Sequence, residues 1–333
     1  MLSDTRKILS SAGIDGFVFF LIVAVFFAWL LPSVGASEAR FSLYWFANIG
    51  ISLIFFFYGL KLSREKLRTG LNNKYLHFLI HITTFLVFPT FALLLRPIFR
   101  GDNMEILWLG IFYLATLPST VSSSVVMVSI ARGNIPAAIF NASISSLIGV
   151  FITPLWMSFV LASAIGIDIS AFGAIIGKLM LQVLAPVLLG MALNKRWGHI
   201  AESRKKNISI FDQSIILLIV YTSFCKSFAH NVFAGFSHYT FICCAIGMLI
   251  FFFAVYRLIG FVCKRLKMSR EDTITAQFCG SKKSMIHGAA MSKVIFAGFS
   301  GLGIILLPVM LYHTLQLVIV SAIAKSKQNQ DIP

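Results

Sequence analysis

The sequence predicts an all-α membrane protein of ten transmembrane helices, and three observations predict it. The composition is 58% hydrophobic and only 12% charged over 333 residues, with a mean hydropathy of +0.88. A soluble domain of this length exposes far more charge. Apolar runs of about 18 residues or more recur along the whole chain, and each is long enough to cross a bilayer as a helix. The basic residues between those runs alternate in density, dense in one loop and sparse in the next.

The runs cover roughly 14–31, 42–60, 75–95, 105–131, 135–163, 169–193, 209–229, 238–262, 270–297 and 302–324. The first follows Arg6 and Lys7, but it continues to Leu31, too far for the apolar region of a cleaved signal, so it is read as a retained span. The loops are short, which leaves a single membrane domain over 1–333. With ten spans both termini share one side. That side holds nineteen Lys and Arg, in clusters such as Lys61 to Lys74, Lys195 to Lys206 and Lys264 to Arg270. The other side holds four: Arg40, Arg96, Arg100 and Lys226. Basic residues collect in cytoplasmic loops, so both termini are expected in the cytoplasm, with the protein in a bacterial inner membrane. Ten spans divide into two sets of five, about 14–163 and 169–325. Because five is odd, the second set enters the membrane inverted, the arithmetic of many secondary transporters.

Several function classes are excluded. A net charge of +16 in a soluble protein would suggest nucleic acid, but the cytoplasmic loops account for it and no nucleic-acid motif is present. The five cysteines lie in or beside apolar runs without ligand spacing. His77 and His81 are four apart but lack the glutamate of a zinc-protease helix. With no nucleophile elbow and no buried carboxylate pair, the chain is not expected to be an enzyme. No cofactor is expected, only a coupling ion, Na+ or H+.

The chemistry concentrates in two spans with interrupted middles. In the fourth, Pro118 is followed by Ser119, Thr120, Ser122, Ser123 and Ser124. Proline removes a backbone donor, and hydroxyls compete for backbone groups. A plain kink needs fewer of them, so an opened backbone is expected. Such backbone is tolerated in a membrane only where protein buries it or water lines it. In the ninth, Gln277 precedes Gly280, Ser281, Lys282, Lys283 and Ser284, with His287 just beyond. Lys282 is twelve residues past Arg270, so about 18 Å into the membrane on a helical rise, and charges at that depth are expensive and usually functional. None of the twelve acidic residues falls at mid-span. Deep charge is therefore positive, half-helix N-termini add to it, and a small anionic substrate is the expected partner besides the lipid.

At these spans the chain resembles the bile acid:sodium symporter family, in particular the branch related to the seventh human bile-acid carrier. The stretches carrying the resemblance are GISLIFFFYGLKLSREKL at 50–67, LPSTVSSSVVMVSIARGNIPAAIFNASISSLIGVFITPL at 117–155 and FCGSKKSMIHGAAMSKVIF at 278–296. The resemblance implies two inverted five-span repeats, a core of spans 3–5 and 8–10, a panel of spans 1, 2, 6 and 7, and crossing, unwound spans 4 and 9. It implies secondary active transport by alternating access. A regulatory or channel-like protein on the same fold is the alternative. Carried over residue by residue, the family's polar pair after the fourth-span break falls on Ser123 and Ser124, and its ninth-span glutamate on Gln277. Its third-span glutamine falls on Thr84. Its two fifth-span hydroxyls fall on Ala138 and Ala142, with Asn141 and Ser145 beside them. The usual sodium sites thus lose a carboxylate and oxygens while two lysines arrive, which argues against sodium coupling by those sites. Lys282 or Lys283 is expected either to replace the sodium charge or to bind the substrate.

Overall fold

The computed structural model describes residues 16–36, 42–61, 73–165, 177 and 180–329. The outer ends of the first and sixth runs, and the basic residues Arg6, Lys7, Arg40, Arg64, Lys66, Arg68 and Lys178, lie outside them. The described residues form helices without strands: α1 (Gly16–Leu30), α2 (Leu43–Lys61), α3 (Lys74–Ile98), α4 (Asp102–Thr116), α5 (Ser122–Ile130), α6 (Ile135–Ile165), α7 (Ala185–Ser203), α8 (Lys205–Ala229), α9 (His238–Arg265), α10 (Arg270–Gly280), α11 (Met285–Ile295) and α12 (Leu302–Asn329). Five segments are long and apolar enough to cross a bilayer: Lys74–Ile98, Ile135–Leu161, Lys205–Ala229, His238–Arg265 and Leu302–Gln328. Shorter apolar helices accompany them at Gly16–Leu30, Trp45–Lys61 and Met104–Thr116. Phe20, Ile22, Trp29, Phe78, Leu94 and Ile250 are more than half exposed. Large apolar side chains facing outward on several helices suit lipid rather than water. The chain is an all-helical, multi-pass membrane protein.

The helices pack in two groups. α1, α2, α7 and α8 pack on one another, and α3 to α6 with α9 to α12 surround the paired short helices; α8 also touches α11 and α12. Backbone contact makes the α2–α7 seam close: a Cβ on Gly59 would run into the Val187 carbonyl, and one on Gly190 into the Phe56 carbonyl. Small residues let helices approach this way where lipid removes the hydrophobic drive for association. In α10 and α11 burial is nearly complete, from Ile274 to Gly280 and from His287 to Ile295. A helix buried on all faces belongs at the centre of a fold.

Two local features stand out, the first a departure from the expected loops. The loop expected near 194–208 is helical, since α7 continues to Ser203 and α8 starts at Lys205. Lys195, Arg196, Ala201 and Glu202 are good helix formers, and beyond the bilayer edge polarity does not end a helix. Asn194 Nδ2 also ties this extension to the Leu60 carbonyl at 2.7 Å. In α3, Pro89 does more than kink the helix. It follows a π-helical turn, Thr83–Val87, in which the Phe88 N–H bonds to the Thr83 carbonyl. The Thr84 carbonyl would then need an N–H from residue 89, and the Phe85 carbonyl would need the same one in α-helical register; proline supplies none. Trp156 Nε1 takes the Phe85 carbonyl at 2.8 Å. The Thr84 carbonyl goes to the site described next.

Candidate functional site

Both interruptions are present, and they touch. α4 ends at Thr116, Leu117 is extended (ψ 149°), and α5 begins at Ser122. α10 ends at Gly280, and α11 begins at Met285 behind the extended Ser284 (ψ 112°). The Ser284 N–H bonds to the Pro118 carbonyl at 2.9 Å, so the two breaks are joined backbone to backbone. Opened backbone buried in protein needs a partner for each of its polar groups. The Thr116 carbonyl accepts from Thr153 Oγ1 at 2.7 Å, and the Ser119 N–H donates to Ser145 Oγ at 3.0 Å. Tyr312 Oη donates to the Ser281 carbonyl at 2.6 Å. The Gln316 amide clamps one peptide from both sides. Its Oε1 accepts from the Lys283 N–H at 2.9 Å, and its Nε2 donates to the Lys283 carbonyl at 2.8 Å. Ser284 Oγ caps α11 by accepting from the His287 N–H at 3.3 Å.

The two lysines are both buried, at 0% and 1% exposure, and they are held differently. Lys283 Nζ donates to three backbone carbonyls: Thr84 at 2.8 Å, Ala115 at 2.6 Å and Leu117 at 2.9 Å. It also sits 4.2 Å from the centre of the Phe88 ring. Ala115 and Leu117 belong to the C-terminal end of α4, where carbonyls are orphaned and partial charge is negative. Lys282 Nζ instead donates to a side chain, Ser123 Oγ, at 2.7 Å. Ser123 Oγ donates on to Thr120 Oγ1 at 3.0 Å, which lies 2.8 Å from Ser124 Oγ. Three of the five hydroxyls after Pro118, those of Ser123, Thr120 and Ser124, therefore form a chain that begins at Lys282 Nζ.

The other expected residues divide. Ser119, Ser145 and Ser281 stay close to the breaks, with Ser281 Oγ donating to the Gln277 carbonyl at 2.6 Å. Ser122 opens α5. Thr84 participates through its carbonyl, since its hydroxyl donates to Ile80 within the helix. Asn141 is buried in α6, its Nδ2 donating to the Ala137 carbonyl at 2.8 Å, and its Oδ1 has no hydrogen-bond partner among the described residues. Among the described residues the Gln277 side chain bonds away from the lysine cluster. Its amide contacts the Tyr256 carbonyl and Lys327 Nζ, both at 3.3 Å, on the α9 and α12 side. His287 lies beyond the break, edge-on to Phe55 and Tyr58 of α2.

Sequence reasoning passed over Gln316 and Tyr312, single polar residues in an apolar run whose facing direction the pattern does not reveal. It did not single out Lys293 either. Lys293 is buried in α11 and lines a cavity of about 410 Å³ with Asn48 of α2, Leu181, Gln182, Val294 and Ala297. The signal was available, because Lys293 is a basic residue within an apolar run, four residues before its end at 297.

Residues 15–329 match the profile of the SBF-like CPA transporter family. The chain is 40% identical over 320 residues to an uncharacterized protein of Pseudomonas aeruginosa, covering 93% of this chain and 92% of that one. It is 34% identical over 328 residues to the protein of Escherichia coli named "Putative symporter YfeH", covering 95% and 94%. It is 29% identical over 323 residues to sodium/bile acid cotransporter 7 of Danio rerio, covering 94% and 93%.

Proposed function

This chain belongs to the SBF-like CPA transporter family, and from that premise we propose that it is a secondary active transporter of a small organic anion. The observation that carries the reading is the lysine pair buried where two interrupted helices meet, with no acidic side chain among the described residues at that junction. α4 with α5, and α10 with α11, each count as one broken span. On that reading the chain has ten crossings in two inverted sets of five. α1, α2, α7 and α8 form a panel, the other helices form a core, and substrate enters between them. The seam follows the two packing groups. The cavity at Lys293, between α11 and the α2 side, offers room and positive charge for an anion with an apolar body.

Sodium coupling through the family's usual site does not fit the chemistry. Gln277 offers one neutral oxygen in place of a carboxylate, and it already accepts from Lys327. A metal cation beside two buried ammonium groups would be repelled by both.

The test is a thermal-unfolding screen of the purified protein against organic carboxylates and sulfates, and separately against sodium at constant ionic strength. The expected result is stabilisation by a subset of the anions, weakened in Lys282→Ala, and none by sodium. Stabilisation by sodium and by no anion would refute the reading.

A further inference from the structure

We infer that Lys283 occupies a monovalent-cation site built by the protein, as a resident, tethered cation, while Lys282 carries the charge left to deal with substrate. The inference rests on the site proposed above and assigns the two lysines separate roles.

The geometry around Lys283 Nζ is that of a small cation cage. Three main-chain carbonyls converge on it at 2.6 to 2.9 Å, and an aromatic face closes a fourth side at 4.2 Å. An ammonium has three N–H donors and no lone pair. Three acceptors match it, whereas a neutral amine would turn a lone pair toward a carbonyl. Rings of main-chain carbonyls are how proteins coordinate small monovalent cations, and aromatic faces attract the same charge. No acceptor in the cage is a rotatable side chain. The Thr84 carbonyl is presented by the π-turn before Pro89, and the Ala115 and Leu117 carbonyls by the end of α4 before Pro118. The Lys283 peptide is itself clamped by Gln316. Both ends of the lysine are fixed, and its charge bridges α3, α4 and the α10–α11 break. The site therefore takes up no soluble ion.

Lys282 contrasts with it. Its described acceptor is Ser123 Oγ, a hydroxyl on a rotatable bond, at the head of the chain through Thr120 and Ser124. That arrangement lets its ammonium change partners when an anion arrives.

The experiment follows thermal unfolding of the full-length protein in micelles for wild type, Lys283→Ala, Lys283→Met and Lys282→Ala. Each is measured in ammonium, methylammonium or n-propylammonium chloride and in N-methylglucamine chloride of equal ionic strength. Lys283→Ala should unfold at a lower temperature and recover at least half of the loss with a small ammonium ion but not with N-methylglucamine. Wild type and Lys282→Ala should show no such recovery, and Lys283→Met should unfold below wild type. Equal responses of Lys283→Ala to all these salts, or Lys283→Met unfolding with wild type, would overturn the inference. If Lys283→Ala does not accumulate, a double-mutant cycle with Phe88→Leu asks the same question. Loss of the ring should lower the unfolding temperature clearly less in Lys283→Met than in wild type, and an equal loss in both would overturn the cage. None of these readings uses substrate, so the cage and the proposed anion transport can fail independently.

Discussion

At the scale of single residues the site is an accounting of backbone groups. Breaking two helices inside a membrane strips carbonyls and N–H groups of their partners, and a few side chains restore them. Gln316 alone holds both polar groups of the Lys283 peptide. Gln316→Leu keeps the bulk and leaves a buried N–H and a buried carbonyl unpaired, at roughly 1–3 kcal/mol each. We expect a clear loss of thermal stability, measured by unfolding in micelles, with Gln316→Glu, which keeps one acceptor, falling between. Ser123→Ala takes away the resting acceptor that an arriving anion replaces at Lys282, so it should strengthen stabilisation by anions and change the spread of anions that stabilise; a screen matching wild type would refute the role given to the hydroxyl chain. The lysines were legible in the sequence because a charge inside an apolar run has few explanations. The carbonyl cage was not, since main-chain acceptors carry no sequence letter. Thr84 was picked from resemblance, as the position of the family's third-span glutamine, and in the structure its carbonyl meets Lys283 Nζ while its hydroxyl bonds within the helix. Gln277 was picked from resemblance, and its side chain bonds to the Tyr256 carbonyl of α9 and Lys327 of α12.

At the scale of elements, two prolines mark places where backbone opens, while the α10–α11 break contains none and Pro154 and Pro308 sit inside continuous helices. Pro118 ends α4, and Pro89 follows a π-turn that releases the Thr84 carbonyl. The first was readable from the hydroxyl-rich stretch behind it. The π-turn was not, because TTFLV has the composition of any apolar helix. Helix seams are set by glycine. Gly59 and Gly190 each face a carbonyl of the opposing helix with no space for a methyl group. Backbone cannot rotate away as a side chain can, so Gly59→Ala must push α2 from α7. Overpacking of this kind costs about 1–3 kcal/mol. The expected outcome is a lower unfolding temperature for Gly59→Ala and for Gly190→Ala, with Gly247→Ala, where nothing lies within 4 Å, serving as the neutral comparison.

At the scale of the whole molecule, helical membrane character followed from composition and run length, and the helices fall along those runs. The inverted arrangement proposed above is argued from the parity of the count, and the cytoplasmic ends from loop charge. C-terminal reporter fusions test it: a reporter active only outside the cytoplasm would contradict an even number of crossings with cytoplasmic ends. Substrate identity was not legible, because the cavity proposed to receive it is assembled from α2, α11 and residues 181 and 182, far apart in the chain. The most direct measurement of the central claim is uptake into proteoliposomes of the anions that stabilise the protein. It is run with and without sodium, for wild type, Lys282→Ala and Lys283→Ala. The account predicts saturable uptake that proceeds without sodium and is lost or strongly reduced in Lys282→Ala. Uptake that requires sodium throughout and is unchanged by both substitutions, or flux that never saturates, would contradict it.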